Sequence, residues 1–241
     1  MAALLLVAIA AVIVAGASQA ANQQVPPATI ALAPPQAGDN GRPGMANAPA
    51  LPPATGAVTF SDSFDGTSLS GWHNLREAAG TWQAQDGRLQ PWGNEAGDLA
   101  NDQIALVTNY SDFRDGVFEA MVNPTSGEGV GLLFRGSDAG YYRLILSPNL
   151  PNSGPRATLE RVGAGGGQIA ANSSWQGFDL GQWLHVQVKT AGDHITASVD
   201  GTQLFDATDA NLASGWVGVW TIADRGSQFD NVRVQSGAAG R

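Results

Sequence analysis

Four polar side chains near the middle of the chain could meet on one wet surface: Glu119, Arg135, Tyr141 and Arg143. Two β-rich runs, 130–135 and 141–147, flank a short segment rich in small residues, which is a hairpin signal. A five-residue loop at 136–140 sets Arg135 opposite Tyr141 and Leu133 opposite Arg143. Side chains alternate across a strand. One face then carries Val130, Leu132, Phe134, Tyr142, Leu144 and Leu146, and the other carries Leu133, Arg135, Tyr141 and Arg143. The first is a core face. On the next run upstream, Phe118, Ala120 and Val122 alternate with Glu119, which places that carboxylate on the same wet face as the arginines. Carboxylates and guanidinium groups bond sugar hydroxyls in bidentate fashion, and an aromatic ring stacks on the apolar face of a pyranose. The plain alternative is a surface ion-pair strip between Glu119 and either arginine, which contributes little to stability. The two readings weigh about equally. Trp72, Trp92 and Trp175 fall in loop-like segments and are secondary ligand candidates. Trp216 and Trp220 share one face of a strand, either core or groove.

Other chemistry is harder to place. His73, His185 and His194 do not share a metal spacing. His185 and His194 fall on outward faces of adjacent expected strands and could be neighbours; a surface pair is the better reading. No serine sits in a nucleophile-elbow context. There are no cysteines, which removes disulfides, thiol catalysis and cysteine zinc sites together. The formal charge is −9 with no block of Lys or Arg, so nucleic acid and an anionic membrane surface are poor partners.

Positioning such residues falls to a domain at 57–236. Strands are expected at 58–64, 81–85, 88–91, 103–108, 116–123, 130–135, 141–147, 157–162, 183–190, 194–199, 202–205, 216–222 and 230–234. Asp86-Gly87 and Asp200-Gly201 each separate two runs and supply the positive φ values of a tight hairpin turn. No long stretch has helical periodicity. Many short strands with regular turns specify an all-β antiparallel sandwich of two sheets, about six strands each. A domain of this size buries roughly 70% of its unfolded surface and needs no covalent staple. Ahead of it, residues 2–17 are unbroken apolar and end in a small-residue cleavage pattern at Ser18 and Ala20, so 1–20 reads as a signal peptide or a retained anchor. Residues 21–56, with Pro-Pro at 26–27, 34–35 and 52–53, read as a disordered tether, and 237–241 as a disordered tail. The expected location is secreted or cell-surface tethered, with membrane contact only through the N-terminal segment, and the expected state is a monomer.

The order of motifs resembles the concanavalin A-like lectin/glucanase jelly rolls over about 175 of the 241 residues. The resemblance rests on Phe60-Ser-Asp-Ser-Phe64-Asp-Gly with Leu69-Ser-Gly-Trp72, on Gly80-Thr-Trp82 with Asp86-Gly87, and on the hairpin above. Gly181-Gln-Trp183 through Val199-Asp200-Gly201 and the closing Gly215-x-Val217-Gly218 with Phe229-Asp230-Asn231-Val232 complete it. By pattern the chain is similar to the domain-of-unknown-function-1080 family, associated with 3-keto-disaccharide hydrolysis, and to laminin-G-like and levan-binding modules. The resemblance implies a sugar-related extracellular role and assigns Trp82 and Trp183 to packing. The paired glutamates of family-16 hydrolases, which share the fold, have no counterpart: Glu119 and Glu160 each stand alone in their strands. A 3-keto-glycoside hydrolase would need an acid or base, with Glu119 and His185 available. Asp230 shares a face with two valines and must be paired or coordinated. First and last strands often neighbour each other in these folds, bringing Asp62 and Asp65 towards it. The resemblance then implies one structural calcium on Asp62, Asp65 and Asp230, against a carboxylate that simply accepts backbone N–H bonds. Three functions follow in order: a non-catalytic carbohydrate-binding module for an oligo- or polysaccharide, a 3-keto-glycoside hydrolase, and an adhesive surface domain without a small ligand.

Overall fold

The computed structural model describes residues 47–75, 81–92, 103–150, 154–163, 165–222 and 226–237. The expected signal or anchor (1–20), most of the tether and residues 238–241 lie outside them. Within them fifteen strands follow one another: β1 Ala57–Asp62, β2 Trp72–Asn74, β3 Thr81–Gln85, β4 Arg88–Trp92, β5 Gln103–Thr108, β6 Gly116–Asn123, β7 Val130–Ser137, β8 Gly140–Leu146, β9 Ala157–Gly163, β10 Gly167–Asn172, β11 Leu184–Ala191, β12 His194–Val199, β13 Thr202–Thr208, β14 Trp216–Ile222 and β15 Gln228–Ser236, all among the described residues. Among the described residues there is no helix. Two antiparallel sheets form a sandwich. One has eight strands in the order β13-β12-β11-β6-β15-β4-β3, with β1 also paired to β15; the other has seven, in the order β10-β9-β8-β7-β14-β5-β2.

Period-two alternation builds the core between the sheets. Val130, Leu132, Phe134, Tyr142, Leu144 and Leu146 are all fully buried, as the hairpin pattern requires. They meet Phe118, Ala120 and Val122 of β6, Val186 and Val188 of β11 and Val234 of β15 in one cluster. Burying each large aliphatic or aromatic side chain contributes about 1.5–3 kcal/mol. Both Asp-Gly pairs form the expected turns: φ is +55° and +70° at Asp86-Gly87, and +50° and +76° at Asp200-Gly201. Gln85 is thereby set opposite Arg88, and Val199 opposite Thr202.

Two strands, β2 and β10, lie outside the sequence expectation. The first is three residues long, and the second is a polar run with glycine and small side chains that carries little β signal. Residues 47–56, assigned by sequence to the disordered tether, lie against β15. Asn231 Nδ2 donates to Pro49 O (3.2 Å), Arg233 Nη2 to Pro52 O (2.5 Å), and Gln235 Oε1 accepts from the backbone N–H groups of Thr55 and Gly56.

Candidate functional site

The four residues expected on one wet face separate into three places. Leu133 does stand opposite Arg143. Beyond Phe134, however, Arg135 and Gly136 together oppose Tyr141, a β-bulge that ends in a tight turn with Ser137 paired to Gly140. Arg135 takes φ +50° and turns away from the outward face. It is 1% exposed. Its guanidinium donates to Arg114 O (3.0 and 2.7 Å), Gly192 O (2.8 Å) and Leu212 O (3.2 Å), and pairs with Asp115 at 3.3 Å. Burial lowers its pKa, and the Asp115 charge opposes that shift. The fork of donors thus ties three loops to the bulge. The sequence-based placement of Arg135 as a ligand-binding residue is therefore corrected to an internal clasp.

Glu119 is also misplaced by the sequence reading, because β6 belongs to the eight-stranded sheet and the hairpin to the seven-stranded one. The two wet faces lie on opposite sides of the sandwich. Glu119 is 1% exposed and saturated by donors. Arg233 Nε reaches Oε1 at 2.9 Å and Gln235 Nε2 reaches it at 2.5 Å, while His185 Nε2 lies 2.7 Å and Gln187 Nε2 3.2 Å from Oε2. Burial would raise this carboxyl, but the bonds from His185, Arg233 and Gln187 and the charge of Arg233 outweigh it and hold the pKa at about 2. The carboxylate is a fixed anion, so His185 is the donor in their shared bond. His185 and His194 are not neighbours: the ladder pairs Ala191 with His194 and Val186 with Val199, which puts the histidines at opposite ends. His194 pairs with Asp206.

The remaining two, Tyr141 and Arg143, stand on the outward face of the seven-stranded sheet, and there they acquire partners that the sequence reading missed. Trp216 and Trp220 of β14 share that face. Trp220 is 1% exposed, donates from Nε1 to Leu144 O (2.9 Å) and lies under the Arg143 guanidinium, whose central carbon is 5.1 Å from the ring centroid. Trp216 is half-buried and packs against Tyr141 with ring centroids 5.4 Å apart. Glycine makes this possible, because a Cβ at Gly136 would fall 2.2 Å from the Trp216 indole. Arg143 also pairs with Glu160 at 2.5 Å, directly opposite it on β9. Ala105, Val107 and Leu133 complete an apolar floor, with Leu75, Ile145 and Ile222 partly covered beside it. Above this buried layer the face offers two half-buried rings, Tyr141 and Trp216, and an ion pair, groups of the kind that bind sugars. Alternation in 157–162 could have flagged Glu160, since it falls opposite Arg143 once β8 and β9 are paired.

Trp72 is corrected from loop ligand to core residue: it is 6% exposed and its Nε1 donates to Asp62 Oδ2 at 2.8 Å. Trp175 is half-buried against the main core, with its backbone N–H on Asn172 Oδ1. The Trp92 side chain lies outside the described residues. Asp62 uses its other oxygen for the Phe64 N–H (2.8 Å), and Asp65 accepts from Ser63 Oγ (2.6 Å). Asp230, 8% exposed, accepts the Asn231 N–H at 2.6 Å. Burial pushes its pKa up to about 6, and the charges of Asp65 and Asp62 add to the rise. Among the described residues no three acidic, His or Cys side chains form a metal-binding group.

Solved structures similar in fold include the carbohydrate-binding module CBM66 from Bacillus subtilis, with TM-score 0.53 and 18% identity, covering 69% of this chain and 96% of that one. A protein of unknown function with a galectin-like fold, also from Bacillus subtilis, gives TM-score 0.55 at 14% identity over 75% of this chain and 96% of that one. The family-16 endo-beta-1,3(4)-glucanase SCLam gives 0.51 at 12% identity over 78% and 95%. At these identities the likeness concerns the fold. No curated protein matches the chain. Residues 59–235, nearly the whole sandwich, match the family described as the 3-keto-alpha-glucoside-1,2-lyase-like domain, and the chain belongs to that family.

Proposed function

We propose that this domain is a non-catalytic saccharide-binding module, displayed outside the cytoplasm, whose ligand lies on the outward face of the seven-stranded sheet. The observation that carries the reading is the half-exposed Tyr141–Trp216 pair beside the Arg143–Glu160 ion pair. The rings offer a surface for the C–H face of a pyranose or furanose. The ion pair offers donors and acceptors for ring hydroxyls. The family, and the carbohydrate-binding and glucanase neighbours, support a sugar as the ligand class. The apolar segment at 2–17 supports the location. Binding to a panel of immobilised polysaccharides tests it. The native protein should be retained by at least one of them, and Trp216→Ala should lose about tenfold or more in affinity, the scale of one aromatic stacking contact. Equal retention of Trp216→Ala would refute the site.

A catalytic reading has one specific observation in its favour, the Glu119–His185 pair, together with the family. In it Glu119 orients His185, which serves as the base, since Glu119 itself is sealed and ionised. Turnover of a 3-keto-disaccharide that is lost in His185→Gln supports it. Absence of turnover in the native protein removes it.

A further inference from the structure

We infer that the Tyr141–Trp216 pair selects coiled glycan chains, whose successive sugar rings are inclined to one another, over flat ribbon-like chains, with Gly136 setting the geometry of the pair. The inference rests on the saccharide site proposed above. Tyr141, Gly136 and Trp216 form one row across three adjacent strands. Gly136 of β7 pairs directly with Trp216 of β14, and on its other side the bulge sets it against Tyr141 of β8. Neighbouring strands lie about 4.8 Å apart, so residues on the outer two strands of such a row start about 10 Å from each other, with a third side chain between them. Here that third side chain is missing. The indole crosses the gap and lies on the glycine: a Cβ built there would meet Cε2, Cδ2 and Cζ2 of Trp216 at 2.2, 2.3 and 2.3 Å. Near-equal distances to these three ring carbons mean that the glycine meets the face of the indole and not its edge. An aromatic ring laid over a cross-strand glycine is a recognised way to fill such a gap. It brings the two ring centroids to 5.4 Å, with the planes inclined by 42°. Both rings are half-buried and keep surface for a ligand.

The 5.4 Å between the rings is close to the length of one hexose unit in a glycan chain. A sugar stacks with its C–H face parallel to the ring beneath it. Two consecutive units seated on the two rings are therefore turned relative to each other by about the angle between the rings. Malto- and laminari-type chains turn from unit to unit and can fill both seats. In a cello-type ribbon the mean planes of successive units stay nearly parallel, so seating one unit lifts the next off its ring. Selectivity then comes from a mismatch built against the flat chain as much as from contacts to the coiled one. Gly136 has no positive φ, so the backbone there accepts alanine, and what the added methyl group would move is the indole.

The test compares coiled oligosaccharides (malto- and laminari-oligomers) with flat ones (cello- and linear manno-oligomers) of the same length by titration calorimetry. The native protein should bind at least one coiled series about tenfold or more tightly than either flat series. Gly136→Ala should displace the indole and bring the coiled-to-flat ratio close to one, with the melting curve recorded alongside. Tyr141→Ala, which removes one of the two seats and leaves the Gly136 backbone untouched, should lower coiled binding by about tenfold and level the ratio as well. A ratio, unlike a single affinity, does not move when a variant merely loses stability. Three results overturn the inference while leaving the sugar site standing: native protein that binds flat chains as tightly as coiled ones, native protein that binds a monosaccharide as tightly as the oligomers, or an unchanged ratio in Tyr141→Ala. Failure of the native protein to bind any of these series overturns the sugar site and the inference together.

Discussion

Replacing Arg135 by alanine tests whether its guanidinium is an internal clasp. Four groups would lose a donor: Arg114 O, Gly192 O, Leu212 O and Asp115 Oδ1. Arg114 O keeps the Thr190 hydroxyl at 2.8 Å, and Asp115 Oδ1 keeps the Gly192 N–H at 2.8 Å. That leaves the carbonyls of Gly192 and Leu212 dependent on water. A cavity of about 160 Å³ beside Arg135, lined by Asp115, Asp193, Leu212 and Ala213, can admit it. Each orphaned group costs about 1–3 kcal/mol when sealed and less when wetted, while Asp115, itself about half exposed, is left to solvent at little cost. A loss of about 2–4 kcal/mol on urea unfolding is the expected result. Arg135→Lys keeps the charge but not the planar fork that reaches three loops, and should recover about half at most. Saccharide affinity, measured where the variant is still folded, should be unchanged. A stability loss under about 1 kcal/mol, or a large affinity loss in the folded variant, would refute the clasp.

Three further outcomes follow from the same contacts. Glu119 has its carboxyl at about 2 in the fold against an ordinary 4.5, so its contribution is complete above about pH 4.5 and is lost as pH falls towards 2. Acid unfolding of the native protein should show about 3 kcal/mol of this dependence, absent in Glu119→Gln. Asp230 has the opposite sign: with its carboxyl raised from 3.8 to about 6, the fold gains stability as pH drops from 7 towards 4. Asp230→Asn, which can still accept the Asn231 N–H, should abolish that gain and stabilise the protein at pH 7 by about 2 kcal/mol; a destabilised variant would contradict the burial argument. A chain begun at Ala57 should unfold about 1–3 kcal/mol more easily than one begun at Asn47, because Arg233 and Gln235 lose the backbone groups they hold; equal denaturant midpoints would show that the arm contributes nothing.

Much of the sandwich was legible because alternation and turn chemistry agree. The buried row of the β7–β8 hairpin and both Asp-Gly turns follow from the residues alone. The site was less legible, for two physical reasons. A bulge at Arg135-Gly136 depends on a positive φ at arginine, a conformation that its side chain disfavours, so nothing local announces it. Alternation also tells inward from outward but not one sheet from the other. Glu119 was rightly placed facing away from Phe118 and Ala120, yet the connection at 124–129 crosses from one sheet to the other and carries it to the opposite surface. Trp216 was ambiguous for the same reason: two tryptophans on one face of a strand suit a core equally well.

The most direct measurement of the central claim is the set of tryptophan indole N–H signals in a ¹H–¹⁵N spectrum, followed while a bound saccharide is titrated in. The account predicts that the Trp216 indole shifts progressively with occupancy, while those of Trp72 and Trp82, packed in the core, stay still. A titration in which Trp216 does not move and the His185 surface of the other sheet does would contradict it.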